Sequence, residues 1–420
     1  MIKRVNENIS EHINKNQGLL KHIILIGITS GISTIFTLFF QMYMGRKLGP
    51  SIYGELISLM AILFIVLTGF SVIHTILTKF FSEFKARKQY KKIGYLFSAT
   101  LRYLFFSGIW GFVVIVSLSY FIALFLKLSS VVPVIIFGLI FWAGFLTPVK
   151  VGILRGLQKF FVLGMSDIIE GSFRLLIGVI LVSIGLGING ALIAIFFGIL
   201  ISVLFGINSV KYLFRLKKEK VFFQDIYRYA MPTFFALISI AIMANVDILL
   251  IKYFFDSVNA GFYAAASVLA TIPFFVSNNF AAIMFPKVSE LHNNKKDTRS
   301  SLRHSFAYTL IVLIGVLIIL FIFPDFIVNL VFGEQYEING LAGLLAIPFG
   351  ALSLSNILVT YNLAIGRKKI LFLLPLFLFL EVLLISLFHD SLYQVAIVLM
   401  LLLVPLFLIL FFLSRKEFRR

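Results

Sequence analysis

Residues 190–213 read GALIAIFFGILISVLFGINSVKYL, with no charge before Lys211. A helix of about 20 consecutive apolar residues crosses the hydrocarbon core of a bilayer, and only helices and closed barrels satisfy their backbone polar groups there. The stretch shows no period-2 alternation, so it reads as a helix. Runs of this kind recur along the whole chain. They predict twelve spans, at 22–44, 56–78, 94–118, 131–149, 162–184, 190–213, 229–251, 262–285, 304–328, 340–364, 370–388 and 393–413.

Composition agrees with lipid as the main solvent. Of 420 residues, 60% are hydrophobic and 13% charged, against about 45–50% and about 25% in soluble domains. The mean hydropathy is +1.04. The chain has 49 Phe and no Cys, which excludes a disulfide-stapled scaffold and any thiolate metal site.

A net charge of +19 resembles a nucleic-acid signature until the basic residues are placed. Of the 37, 31 lie in the N-terminal segment, the C-terminal tail and every second loop: 1–21, 79–92, 150–159, 211–228, 287–303, 367–369 and 415–420. The opposite loops hold Arg46, Lys47, Lys127 and Lys252, while Arg102 and Arg174 lie inside spans. This asymmetry predicts a multi-pass protein of the cell membrane with both termini in the cytoplasm. Because the basic loops are short and scattered, nucleic acid is not a predicted partner. Ile2, Val5, Ile9 and Ile13, at spacings of three and four, suit an amphipathic helix on the inner membrane surface. No cleavable signal peptide is expected.

The halves resemble each other. A shift of 207 residues sets Lys21 on Arg228 and Gly54 on Gly261. It also sets Phe81-Ser82-Glu83-Phe84 on Val288-Ser289-Glu290-Leu291. Further on, the offset becomes 208, where Leu157-Gln158-Lys159 faces Ile365-Gly366-Arg367. Six spans per repeat is an even number, so the two halves share one orientation. The expected domains are a cytoplasmic segment 1–21, a six-helix lobe 22–213, a basic linker 214–228, a second six-helix lobe 229–413 and a tail 414–420. The predicted fold is an all-α polytopic membrane protein of about 12 transmembrane helices in two parallel six-helix lobes, the layout of an alternating-access transporter.

An ionisable residue inside a span is a functional hypothesis by default. Six qualify: Arg102, Asp167, Glu170, Arg174, Asp247 and Glu381, two basic and four acidic. Asp167, Glu170 and Arg174 share one helical face within about 60°, and Glu170 reaches Arg174 at i, i+4. This face serves either as an ion ladder or as a switch that frees the arginine for an anionic substrate. Asp167, Glu170, Asp247 and Glu381 are candidates for coupling to an ion, H+ or Na+. Arg102, Arg174, Asn245, Asn278 and Asn279 are candidates for a substrate-binding lumen, and Arg46 and Lys47 for its outer rim. Pro273, followed by Asn278-Asn279 on the same span, marks a bent helix. No catalytic set, metal site or cofactor motif appears, so no enzyme activity is expected.

Leu48-Gly49-Pro50-Ser51-Ile52-Tyr53-Gly54 resembles the "LGPxxYG" outer loop of oligosaccharide flippases of polysaccharide biosynthesis. That family belongs to the superfamily of multidrug and toxin extrusion (MATE) exporters and lipid II flippases. Arg228-Tyr229-Ala230-Met231-Pro232 is similar to the family's entry to span seven. Asn245-Val246-Asp247-Ile248-Leu249-Leu250 with Gly261-Phe262-Tyr263 is similar to its "N-x-D…G-x-Y" stretch. Phe285-Pro286-Lys287 and Phe332-Gly333-Glu334-Gln335-Tyr336 resemble the end of span eight and the loop after span nine. The resemblance implies a MATE-like fold that flips a polyprenyl-pyrophosphate-linked oligosaccharide from the inner to the outer leaflet, coupled to an ion gradient. Its partners would be that lipid-linked substrate, membrane lipids and the ion. The family's cationic lumen is only partly present, in Arg102 and Arg174. Two other expectations stand beside it: a cation-coupled exporter of drugs or metabolites, which suits the excess of carboxylates, and a membrane-embedded polymerase or glycosyltransferase, which the short outer loops disfavour.

Overall fold

The computed structural model describes residues 2–216, 219, 227–338, 340–367 and 372–418; at 2–27, 227–233, 293 and 416 the description is of the backbone alone. Lys217, Lys218 and Lys220 of the basic linker, Lys368, Lys369, Arg419 and Arg420 therefore lie outside the described residues, as do the side chains of Ile2, Val5, Ile9, Ile13 and Arg228.

Fifteen α-helices follow one another, with no strand among the described residues. They are α1 (Ile2–Ala86), α2 (Tyr90–Ser117), α3 (Ser119–Phe125), α4 (Val132–Gly156), α5 (Phe160–Ser183), α6 (Gly187–Asn208), α7 (Tyr227–Met243) and α8 (Val246–Phe254). Then come α9 (Ser257–Ala270), α10 (Ile272–Asn293), α11 (Arg299–Ile322), α12 (Pro324–Val331), α13 (Leu341–Ala364), α14 (Leu373–Leu387) and α15 (Leu392–Ser414). The all-α membrane fold expected from the sequence is what the chain adopts.

Among the described residues, seven helices are long and apolar enough to cross a bilayer, and nine if each bent pair is one span. The remaining predicted spans have local explanations. Residues 28–86 of α1 form a 59-residue stretch, enough for two passes. It breaks at Gly49, whose φ of 74° and ψ of 168° are not helical. Pro50 follows, lacking an N–H to continue the ladder and pushing the preceding residue out of the helical region. The 24-residue α5 carries three charges, and α14 has only 15 residues. The two bent pairs fold by 40° between α7 and α8, and by 42° between α9 and α10. At the second bend Pro273 occupies the first turn of α10, where its missing N–H is harmless. The sequence places a bend at this proline; the structure turns the chain just before it, at Thr271.

The repeat is visible in the backbone. α1 ends at Ala86 and α10 at Asn293, 207 residues apart. Each end is followed by a non-glycine residue in the left-handed region, Lys88 at φ 56° and Lys295 at φ 55°. The closing hydrogen bonds match as well: Gln89 N–H to Phe84 O, and Lys296 N–H to Leu291 O, both 2.8 Å. This six-to-one bond is the helix-terminating motif that satisfies orphan carbonyls. Lys159 N–H to Leu154 O and Arg367 N–H to Asn362 O repeat it at the offset of 208, at 2.8 and 2.9 Å.

The helices group into two compact units. The first holds residues 1–43, 73–119 and 132–224, and the second holds 44–72, 120–131 and 225–420. In the first, Leu77, Phe81, Phe97, Ile153 and Leu154 are core residues shared by α1, α2 and α4. In the second, α13 is the central helix, buried along nearly its whole length and packed on α9, α10, α11 and α15.

Asp256 caps α9, its carboxylate accepting from the N–H groups of Val258 and Asn259 at 2.9 and 3.0 Å. Slight burial pushes this carboxyl up, but hydrogen bonds from Asn259 and Val258 outweigh it and hold the group below its ordinary value. A depressed folded value means the cap contributes fully above the ordinary carboxylate range and is lost as pH falls through the folded value. Asp256→Ala is expected to lower stability by about 1 kcal/mol at neutral pH. In detergent, the gap in melting temperature between the two proteins should close on acidification.

Candidate functional site

Three groups of polar side chains stand out inside these helices. The first centres on α5. Asp167, Glu170 and Arg174 lie on one face as their spacing predicts, and an Arg174 Nη–H donates to Glu170 Oε1 at 2.8 Å. The cluster has a member the sequence reading did not include. The sequence places Lys150 in an inner loop, but α4 continues past the predicted end at 149 to Gly156, so Lys150 is inside the helix and 1% exposed. Its Nζ donates to Ser202 Oγ at 2.8 Å and lies 3.4 Å from Asp167 Oδ1 and 3.9 Å from Glu170 Oε2. Ser202 in turn donates to Ser166 O at 2.7 Å, tying α6 to α5. Two cations thus balance two carboxylates, and the predicted acidic excess is absent here.

Lys150→Met removes one partner and leaves the carboxylates facing a low-dielectric interior. Such losses run to about 3–5 kcal/mol for buried pairs. Asp167 is 38% exposed, so about 3 kcal/mol is expected, read as a lower melting temperature in detergent.

The acidic excess sits in the second group. Asp247 of α8 and Glu381 of α14 are both fully buried, on helices that pack together, and Glu381 lies in the field of Asp247. Tyr263 of α9 donates its hydroxyl to Asp247 Oδ2 at 2.5 Å. Among the described residues, Asp247 Oδ1 and both oxygens of Glu381 have no hydrogen-bond partner. Buried polar atoms are otherwise nearly always paired. These three carboxylate oxygens, on the packed helices α8 and α14, are the unpartnered acidic atoms of this group. Asn245 lies close in sequence, but its amide donates to Ala241 O at 2.9 Å across the α7–α8 bend.

The third group is amide-rich. Asn356 of α13 donates to Ser277 Oγ at 3.1 Å and to Asn278 Oδ1 at 2.8 Å. Asn278 is therefore joined to a partner that sequence reasoning did not single out. Asn279 is exposed, its amide donating to Phe275 O at 3.3 Å. Arg102 belongs to none of these groups and stands on an exposed face of α2.

At the break in α1 the chain packs closely against later segments. Arg46 donates from its guanidinium to the carbonyls of Val331 (3.3 Å), Asn329 (3.4 Å) and Leu330, filling the unsatisfied end of α12. Lys47 is exposed. Tyr336 and Gln335 donate to Gly45 O at 2.8 and 3.3 Å. The repeat-related pair Gly54 and Gly261 meet face to face: a Cβ on Gly54 would stand 3.0 Å from the Cα and N of Gly261, and one on Gly261 would overlap the Pro50 carbonyl. Beside this contact, Glu55 accepts from Ser129 N–H at 3.3 Å. Lys252, predicted in a loop, is buried in α8 and donates to Ser257 Oγ at 3.2 Å. Lys252 also feels the opposite charge of Glu55.

The sequence profile of the polysaccharide biosynthesis protein family matches residues 44–338. The chain belongs to that family. It is also 26% identical over 179 residues to an uncharacterised membrane protein of Methanocaldococcus jannaschii, covering 40% of this chain and about a third, 35%, of that relative's length. Among solved structures, the inward-facing conformation of a multidrug resistance MATE family transporter of the MOP superfamily is similar with a TM-score of 0.74 and 12% identity, over 94% of this chain and 98% of that one. Lipid II flippase MurJ in an inward closed conformation gives 0.71 at 18%, over 94% and 89%. The Vibrio cholerae MATE transporter VcmN gives 0.63 at 15%, over 95% and 98%. At these identities the likeness establishes the fold, and it is MATE-like.

Proposed function

We propose that this member of the polysaccharide biosynthesis family is a flippase, moving a polyprenyl-pyrophosphate-linked oligosaccharide from the inner to the outer leaflet by alternating access. The carrying observation is the pair Asp247 and Glu381, fully buried with three oxygens lacking partners among the described residues. Two carboxylates in so dry a site require a cation, and a site that takes up H+ or Na+ in one state and yields it in another couples transport to a gradient. Alternating access would be carried by six-helix lobes 22–213 and 229–413, with the basic loops in the cytoplasm and the Gly54–Gly261 contact closing the outer face. Arg46 then holds that closure through α12, and Lys47 stays at the rim.

Substrate recognition falls to the amides of Asn245, Asn278 and Asn279 for the sugar, and to Arg174 for phosphate oxygens. Releasing Arg174 requires that Glu170 be neutralised, since the two are paired at 2.8 Å. In proteoliposomes with a fluorescent polyprenyl-pyrophosphate oligosaccharide and an outside quencher, wild-type protein is expected to flip the lipid under an H+ or Na+ gradient. Arg174→Ala should lower the rate several-fold with insertion intact. No flipping under either gradient, together with gradient-driven efflux of an organic cation, would establish instead the exporter reading, which the same carboxylate pair favours.

A further inference from the structure

Along α2, Tyr95, Ser98, Ala99, Arg102, Tyr103, Phe106, Ser107 and Trp110 recur at spacings that place them on one helical face. Together they line a cavity of about 780 Å³. Tyr103, Phe106 and Trp110 are 72%, 62% and 70% exposed. On a membrane-spanning helix such a face meets acyl chains rather than water.

Two polar groups interrupt it. Arg102 is exposed and has no ion pair or hydrogen bond among the described residues. Ser98, one turn away and 9% exposed, has a buried hydroxyl oxygen with no partner among them. Three other cations in the helices have opposite charges at hand: Lys150 and Arg174 pair with Asp167 and Glu170, and Lys252 lies in the field of Glu55. Arginine stays charged at any ordinary pH, and an unpaired charge at this depth is costly. By helical rise Arg102 lies about 15 Å along α2 from Lys92, a depth from which a long arginine side chain can reach head-group level. The counter-charge must therefore come from outside this set of side chains. At a lipid-facing groove, the abundant anion is the phosphate of a membrane lipid.

We propose that this groove binds one anionic phospholipid, its phosphate held by Arg102 and the Ser98 hydroxyl and an acyl chain lying along Tyr103, Phe106 and Trp110. The site differs from the transport path proposed above, and its test reads bound lipid, not translocation, so either idea can fail without the other. The full-length protein is purified, stripped of loosely held lipid, and offered phosphatidylglycerol or phosphatidylcholine in native mass spectrometry. Wild-type protein is expected to retain one phosphatidylglycerol, at least fivefold more than phosphatidylcholine, and to melt at a higher temperature with it. Arg102→Gln should lose that retention at least fivefold, Ser98→Ala should weaken it, and Arg102→Lys should keep part of it. Equal retention by wild type and Arg102→Gln would overturn the proposal. Competition on the wild type alone decides the matter if Arg102→Gln does not fold. Equal binding of the two phospholipids, or displacement of phosphatidylglycerol by an equimolar polyprenyl phosphate, would then overturn it.

Discussion

Glu381→Gln and Asp247→Asn are each expected to reduce gradient-driven translocation at least tenfold while leaving thermal stability unchanged or higher. The opposite signs follow from burial. Both carboxylates are fully enclosed, and a buried charge without a matched partner destabilises the fold that contains it. An amide of the same shape removes that charge, so the protein melts no earlier. It also removes the site's attraction for a cation, so no gradient drives the cycle. A cation bound to the folded state raises its melting temperature by mass action. Addition of Na+, or a change of pH if the ion is a proton, should therefore shift the wild-type midpoint and leave the Glu381→Gln midpoint in place. Tyr263→Phe supplies an intermediate case, because it strips the hydroxyl from Asp247 Oδ2 and keeps both carboxyl groups. If either carboxamide variant transports at the wild-type rate under a gradient, the pair has no part in coupling.

Gly261→Ala is expected to have the second large effect. An added methyl would overlap the Pro50 carbonyl, which is backbone and cannot rotate aside. The segment around Pro50 would have to withdraw, and with it the Gly54 contact at 3.0 Å. Overpacking of this kind costs about 1–3 kcal/mol, enough to shift a two-state closure by a factor of five or more. If the contact closes the outer face, the variant holds that face open and translocation falls. The chain has no Cys, so a single Ser58→Cys, at a position now 1% exposed, reports the change cleanly. Labelling by a membrane-impermeant maleimide should rise in Gly261→Ala and stay low in Gly315→Ala, where an added Cβ meets nothing within 4 Å. Unchanged labelling would show that the seam tolerates the methyl and does not gate access.

Much of this was written in local chemistry. The apolar spans follow from length and apolarity, because lipid leaves the backbone no partner but itself. The repeat was legible at Gly54 and Gly261 because their positions tolerate so few side chains, and the same pairing returns in the left-handed residues Lys88 and Lys295. The charged face of α5 was legible because its members lie within two turns of one helix.

What stayed hidden depended on distance along the chain. Lys150 sits one residue beyond a predicted span, and only the continuation of α4 carries it into the interior opposite Asp167. Asp247 and Glu381 are separated by more than a hundred residues, and no periodicity announces that α8 packs on α14. Asn356 is one polar residue in an apolar helix until α10 brings Ser277 and Asn278 against it. The sequence by itself determined that the chain is helical, spans the membrane many times, repeats itself and keeps a few charges inside, since each of these depends on solvent and near neighbours alone. Only the tertiary structure decided which charges neutralise one another and which stand unpaired. Pairing is a matter of a few ångströms between helices, and the chain sets that distance only when it packs.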